Sequence, residues 1–499
     1  MNNAKHQGSS LYTPIVPCSH LNMSISNGMM SGFLATVVVV LESFISFVTF
    51  LLPKWLIRYF TRLTRVIFRL VSDIPLYSKD PIYDAFIKEM GTPQNEEEDK
   101  DDQDSDEQTK PQLYATNGSA TSEEATRDDT ISLIKKLKNA RSIKEMCSCF
   151  GYKVQDYLVT TQDGYLLTLH RIMAKKPHSR TGKVVYMQHG LLMSSEIWVT
   201  MYKERLNLPF VLTDLGFDVW LGNNRGNKYS CRHLTRPIDS EQFWNFSIDE
   251  YSMFDIPDSI DYILKQTGQT QVNYVGFSQG CTQGLAATSL NRDLNDKIDK
   301  MILISPATTP HGLSNPLINS IINLSPEFMF LLFGKKIILK SAYFWRDIIY
   351  PPLFIKVIDW ADQILFNWKS ENINYMQKFV SYYHLYSTTS VKSAVHWFQI
   401  IKSKRFQMYD ANKNSSDFQT FQFPIENGEG SRRIMVLFGT SDSLVDIQLL
   451  QKQLGTIEQI VPIENHEHLD LVWGTSVDTK IAPPICEFLK PGGAPDKDK

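Results

Sequence analysis

The stretch VNYVGFSQGCTQGLAATSL, residues 272–290, restricts the possible folds more than any other part of the chain. It begins as a buried strand, and the residues after Gly280 suit a helix. Between the two, Gly276 and Gly280 permit the tight strand-to-helix turn that exposes a central serine, here Ser278. A bare G-x-S-x-G sequence is often a plain turn, so the strand and helix around it carry the prediction of a nucleophilic serine.

Short apolar runs alternate with helix-length stretches from about residue 131 onward. YLVTTQDGYLLTLHRI reads as two strands around an Asp-Gly turn, and the later runs are KVVYMQ, GFDVWLG, VNYVG, KMILIS, RIMVLFG and IEQIVPI. Strands separated by helices predict a mostly parallel sheet that is covered on both faces. In such sheets the active residues lie on loops beyond the carboxyl ends of the strands.

A serine nucleophile needs a histidine base that a buried carboxylate orients through its other ring nitrogen. Two aspartates, Asp442 and Asp446, follow the strand RIMVLFG, and two histidines, His466 and His468, follow the next strand. Both choices stay open at this level, because in an extended segment the two imidazole rings would point the same way.

Hydrolysis of an ester also needs backbone N–H groups that stabilise the developing oxyanion. The stretch VVYMQHGLLMSS places residues 189–191 directly after a strand, where one such N–H group is expected. The amide of Gln279, next to the nucleophile, is expected opposite it.

Composition excludes some classes of function. A net charge of -3 gives no overall attraction to nucleic acid. The six cysteines are scattered without a C-x-x-C motif or zinc-ligand spacing, which indicates a reduced chain without a structural metal. The chemistry predicted above needs no metal ion and no organic cofactor.

The N-terminal region predicts a membrane anchor. Residues 32–52, GFLATVVVVLESFISFVTFLL, contain one charge, Glu42, and about the number of apolar residues that crosses a bilayer. The alternative is a buried core helix, because Glu42 would be costly at the bilayer centre. In the next residues, arginines 58, 62, 65 and 69 fall on one helical face, as in a helix at an anionic membrane surface. The apolar segment spans the bilayer or forms a hairpin at Pro53.

The chain is identified as a member of the acid lipase family of α/β-hydrolases, which includes gastric and lysosomal lipases. It most resembles the membrane-anchored fungal steryl ester hydrolases of that family. The matching blocks lie in order over about 145–490: QHGLL, GNNRGNKYS, FWNFSIDEYSMFDIPDSIDYIL, GFSQG, TSVKSAVHWFQIIKSKRFQMYD, GTSDSLVD and HLDLVWG. Phe277 stands where the animal enzymes carry histidine and the fungal branch carries phenylalanine.

The resemblance implies the site residues one by one. The family acid precedes a loop that ends in a second aspartate, which selects Asp442 over Asp446. The family histidine is followed by Leu-Asp and an aromatic-Gly pair, which selects His468 over His466. The oxyanion amides map to Leu191 and Gln279, and the nucleophile to Ser278.

Other polar residues near these motifs are expected to be structural. His466 is expected to be exposed, and Asp446 and Asp470 to cap loops. His396 and Trp397 are expected to pack inside a helical stretch, and Cys281 to be a small buried residue.

The resulting fold class is α/β: an α/β-hydrolase fold with a helical cap insertion, preceded by an N-terminal membrane anchor and an acidic linker. The family places a cap over the site, and an apolar insertion after LISPA fits it. The expected organisation is a tail (1–31), an anchor with its basic helix (32–72), an acidic flexible linker (73–130), a first core part (131–305), a cap (306–430), a second core part (431–490) and a tail (491–499).

The resemblance implies hydrolysis of neutral-lipid esters, with steryl esters as the first substrate and triacylglycerols as the alternative. A non-catalytic membrane tether that retains the fold is a second class, and an acyltransferase is a third. The expected partners are the lipid substrate and a membrane or lipid-droplet surface. The expected location is the endoplasmic reticulum, lipid droplet or plasma membrane, with the catalytic domain in the cytosol because the cationic residues follow the anchor.

Overall fold

The computed structural model describes residues 119–175, 181–312, 314–316, 322–411, 420–426 and 433–490, together with Tyr59. The expected anchor at 32–52 lies outside the described residues, as do the basic helix apart from Tyr59, most of the acidic linker and both tails. No helix in the described part of the chain combines the length and the apolar composition needed to cross a bilayer.

A single mixed sheet forms the centre of the described structure. Its strands are β1 (Lys153–Thr160), β2 (Tyr165–Met173), β3 (Val184–Gln188), β4 (Asp218–Leu221), β5 (Arg232–His233), β6 (Val272–Phe277), β7 (Ile298–Ile304), β8 (Arg433–Gly439) and β9 (Gln459–Ile463). Their order is β1-β2-β4-β3-β6-β7-β8-β9, with β5 paired to β2. The strand runs read from the sequence are all confirmed.

The sheet changes from antiparallel to parallel along its width. β2 pairs antiparallel with β1 and with β4, whereas every neighbouring pair from β4 through β3, β6, β7 and β8 to β9 is parallel. The carboxyl ends of the parallel strands therefore meet at one edge. The loops after β3, β6, β8 and β9 all emerge at this edge, and they carry the predicted site residues.

Alternate side chains of the central strands enter two different cores. In β6, Val275 and Phe277 pack on one face of the sheet, whereas Val272 and Tyr274 pack on the other. All six residues of this strand are buried. This is why the strand reads as a continuous apolar run rather than as an alternating one.

Helices cover both faces of the sheet. Before the cap they are α1 (Ser119–Asn139), α2 (Ile143–Ser148), α3 (Leu208–Asp214), α4 (Ile256–Thr267), α5 (Gln279–Leu290) and α6 (Arg292–Asp296). After the cap they are α12 (Ile447–Leu454), α13 (Asp470–Trp473) and α14 (Ala482–Leu489). Shorter helical turns lie at Ser195–Trp198, Glu204–Leu206, Ile248–Glu250, Tyr251–Asp255 and Val477–Ile481.

The cap is inserted between β7 and β8. Its described helices are α7 (Pro326–Phe333), α8 (Ala342–Ile348), α9 (Pro351–Phe366), α10 (Tyr375–Leu385) and α11 (Val391–Ser403). Buried residues of α9 and α10 join one core of the sheet, and Trp397 and Ile400 of α11 join the other. The cap is thus packed against the sheet on both of its faces.

Helix α1 begins at Ser119, inside the range 73–130 that the composition assigns to a flexible linker. Its later residues Ile131, Ile134 and Leu137 are buried in the core. Adding a residue to a packed helix costs less than starting a new one, so the helix extends back into the polar stretch. Local composition could not reveal this extension.

A buried ionic cluster is centred on Arg225, from the stretch GNNRG. The Arg225 side chain contacts Asp163 through both terminal nitrogens and donates from Nε to Asp255 Oδ1 at 2.7 Å. Its guanidinium carbon lies 4.0 Å from the centre of the Tyr165 ring. The cluster ties the β1–β2 turn to the polypeptide before α4.

Candidate active site

Ser278 occupies the turn between β6 and α5. Its backbone has φ 53° and ψ -117°, a conformation rarely adopted by residues other than glycine. The neighbouring glycines allow it: a Cβ on Gly276 would lie 2.6 Å from Cys281 N, and one on Gly280 would lie 2.3 Å from Gln188 O. The strained turn predicted from the sequence is therefore present.

Asp442 and His468, which the resemblance implies as the acid and the base, are in contact. His468 Nδ1 lies 2.7 Å from Asp442 Oδ2, and the second Asp442 oxygen accepts from Leu444 N at 2.9 Å. An ionised carboxylate only accepts, so Nδ1–H donates to Asp442, and in a neutral ring Nε2 is then the nitrogen with the lone pair. The His468 ring also contacts Phe277, the residue before the nucleophile, with 5.1 Å between ring centres.

The competing residues have structural roles. Asp446 caps α12 by accepting from Leu449 N at 3.0 Å, as expected. Asp470 accepts from Glu467 N and from Asn372, also as expected. The expectation that His466 is exposed is wrong, since only 3 % of its surface is accessible. Its ring nitrogens contact Glu464 O at 2.7 Å and Ser476 Oγ at 2.6 Å, so the side chain fastens this loop.

The loop after β3 lies against the nucleophile. A Cβ on Gly190 would lie 3.2 Å from Ser278 Cβ, so the loop carrying Leu191 approaches the serine closely. Within the described residues, the N–H groups of Leu191 and Gln279 donate to no protein acceptor. These two amides are therefore free to bind an oxyanion, and their assignment to that role stays a prediction.

His189 shapes this loop and was not singled out as a separate residue in the sequence. Its Nδ1–H donates to Gly190 O at 2.8 Å, and Nε2 accepts from Asn224 N at 3.2 Å. Burial lowers the pKa of His189 to about 4, so the ring is neutral. The ring fixes the carbonyl that precedes the Leu191 amide.

A cap residue reaches the other oxyanion donor. Trp397 of α11 donates from Nε1 to Gln279 Oε1 at 2.7 Å. The sequence indicates a packing role for Trp397. The structure adds this hydrogen bond to Gln279, which lies 118 positions earlier in the chain. His396 and Cys281 are buried, as expected. All cysteines among the described residues are free thiols.

The structure thus joins Asp442 to His468, places that pair beside Phe277, and sets Ser278 against the loop of Leu191. A neutral histidine with a free Nε2 can accept a proton from a hydroxyl group. Amides on either side of a serine can stabilise a tetrahedral oxyanion. This arrangement is suited to acyl transfer through a serine.

Comparison with known proteins agrees with this chemistry. The profile of the family described as alpha/beta hydrolase fold matches residues 183–474, and that of a partial alpha/beta-hydrolase lipase region matches residues 143–202. A "probable lipase" of Schizosaccharomyces pombe is 45% identical over 360 residues, which cover 71% of this chain and 81% of the relative.

Two human proteins are also similar. Gastric triacylglycerol lipase is 34% identical over 363 residues, and lysosomal acid lipase/cholesteryl ester hydrolase is 32% identical over 364 residues. Each match covers 70% of this chain and 90% of the relative. The chain belongs to the α/β-hydrolase family and is a carboxylic ester hydrolase of its lipase group.

Proposed function

We propose that the protein hydrolyses steryl esters to sterol and fatty acid through a covalent acyl-enzyme on Ser278. The observation that carries the proposal is the 2.7 Å contact between His468 Nδ1 and Asp442 at the sheet edge that also carries Ser278. It leaves Nε2 as the only ring nitrogen that can act as a base.

The reaction has two halves. In the first, His468 takes the proton of Ser278 as the hydroxyl oxygen attacks the ester carbonyl, and the amides of Leu191 and Gln279 stabilise the oxyanion. His468 then returns the proton to the departing sterol oxygen. In the second half, His468 removes a proton from the water that attacks the acyl-enzyme, and it returns this proton to the Ser278 oxygen as the bond to the fatty acid breaks. Asp442 orients the ring and stabilises its charged form throughout.

The choice of steryl esters over triacylglycerols rests on the resemblance to the fungal steryl ester hydrolases. One relative is named as a cholesteryl ester hydrolase and another as a triacylglycerol lipase, so both substrates belong in the test. The catalytic groups serve either ester equally, because they contact only the carbonyl and the leaving oxygen.

The test compares initial rates of the purified protein on cholesteryl oleate and triolein in the same mixed micelles. We expect faster hydrolysis of cholesteryl oleate, and complete loss of both activities after reaction with a p-nitrophenyl phosphonate. Mass spectrometry should then find the phosphonate on Ser278. A higher rate on triolein would reverse the substrate assignment, and labelling of Ser278 without turnover of either lipid would favour the non-catalytic tether.

We also propose that residues 32–52 anchor the enzyme in the membrane of the endoplasmic reticulum, a lipid droplet or the plasma membrane, with residues 131–499 in the cytosol. Support comes from the apolar run and the arginines that follow it. Carbonate extraction should leave the full chain in the membrane pellet and release a variant lacking 32–52. Protection of 131–499 from protease in intact microsomes would contradict the orientation.

A further inference from the structure

A short segment of the cap lies directly against the acid–base pair. Residues 366–372, here named the bracket, begin at the last residue of α9 and include Trp368, which is 4% exposed. The Trp368 and His468 rings are parallel within 8°, with 5.3 Å between their centres. Trp368 is also stacked on Phe366, at 4.3 Å between ring centres.

The bracket also binds the loop that carries the acid. Trp368 Nε1 donates to Ser443 Oγ at 3.1 Å, and Ser443 in turn donates to Phe366 O at 2.8 Å. Ser443 is the residue after Asp442, so the indole that stacks on the base is hydrogen-bonded next to the acid. The Trp368 side chain therefore contacts both His468 and the residue next to Asp442.

The bracket binds the loop that carries the base as well. The carboxylate of Glu467 accepts from Lys369 N at 2.8 Å and from Ser370 N at 2.7 Å. Asn372 donates to Asn465 O at 2.7 Å and to Asp470 Oδ2 at 2.9 Å. Residues on both sides of His468 are thus hydrogen-bonded to the cap.

The hydrogen bond to Asp442 fixes one atom of the His468 ring but leaves rotation of its plane to be restrained by other contacts. A parallel indole restrains that plane and therefore the direction in which Nε2 points. An aromatic face also attracts a cation, so the indole stabilises the imidazolium that exists only while the reaction proceeds. Because this contact is stronger when His468 is charged during the reaction than when substrate first binds, it raises kcat rather than substrate affinity.

We propose that Trp368 is a positioning residue for His468, and that the bracket is a fixed part of the catalytic site rather than a moving part of the cap. This inference rests on the proposed serine mechanism. It assigns a function in catalysis to a cap residue that lies 100 positions before the histidine in the chain.

The test measures kcat and KM of the full chain on p-nitrophenyl butyrate, a soluble ester too small to need the cap for binding. For Trp368→Leu we expect kcat to fall by about 10- to 100-fold, with KM within about twofold of the wild type. Trp368→Phe, which retains a flat ring, should recover most of the loss. Trp360→Leu is the matched control, because Trp360 is on the same part of the cap but is 41% exposed.

A second variant guards against misfolding of Trp368→Leu. Glu467→Gln weakens the contact with the bracket amides and should lower kcat about 3- to 10-fold without changing KM, the loss expected for one charge-assisted hydrogen bond. A rise in KM at constant kcat, or a phenylalanine variant no better than leucine, would overturn the inference. Failure of the proposed function would look different, since the wild type itself would then show no turnover and no phosphonate label on Ser278.

Discussion

Replacing His468 by alanine should lower kcat for ester hydrolysis by about six orders of magnitude, the loss seen when the base of a serine triad is removed. The reason is that the proposed mechanism uses His468 as the base that takes the Ser278 proton. Asp442 contacts His468 Nδ1 at 2.7 Å, and the ring lies beside Phe277. Initial rates on p-nitrophenyl butyrate, measured at an enzyme concentration raised for the variant, provide the measurement.

The matched control is His466→Ala, two residues away in the same loop. His466 contacts Glu464 O and Ser476 Oγ, so its loss leaves two polar groups without a partner. We expect a fall in the free energy of unfolding of about 1–3 kcal/mol, with kcat of the folded enzyme nearly unchanged. If the alanine at 466 removed turnover and the alanine at 468 did not, the assignment of the base would be wrong by two positions.

Replacing Arg225 by methionine should reduce the free energy of unfolding by about 3–5 kcal/mol. The variant leaves Asp163 and Asp255 without their cation, and the side chain of Asp255 is only 3% exposed. Burial raises the pKa of Asp163, but hydrogen bonds from Arg225 outweigh it and leave that pKa below its usual value. Stability from the Arg225–Asp163 pair is therefore present at neutral pH, and it is lost as the pH falls through the pKa of Asp163 in the folded protein.

Urea denaturation followed by tryptophan fluorescence measures the change. Lys297→Met is the control, since Lys297 pairs with Asp261 at a site where their side chains are 33% and 52% exposed. That substitution should cost less than about 1 kcal/mol. Converting Asp163 and Asp255 to asparagine in the Arg225→Met background should recover part of the loss. Equal losses for Arg225→Met and Lys297→Met would refute the role of the buried cluster.

The parts of this structure that the sequence predicts are those with a local signature. Strand β6 reads as a continuous apolar run because it is buried on both faces. The turn at Ser278 is visible because only glycine fits at 276 and 280. The order of acid and histidine along the chain follows from the order of the strands that carry them.

The parts that escaped prediction depend on contacts between distant residues. Glu467 is bound by amides 98 positions earlier, and Gln279 by an indole 118 positions later. In the sequence, Glu467 looks like an ordinary exposed charge, and Trp397 looks like an ordinary aromatic residue of the core. His466 looked exposed for the same reason, because its partner Ser476 lies ten positions later, beyond α13.

The position of the cap between β7 and β8 has a consequence for synthesis. The ribosome completes the nucleophile and both oxyanion amides first, then the cap, and last the strands that carry Asp442 and His468. Strand β8 can pair with β7 only after the intervening chain has been brought back on itself, which costs closure entropy. Under the proposed mechanism, a nascent chain therefore contains Ser278 long before it gains His468, and it cannot hydrolyse lipid esters until β9 and the loop after it have been made.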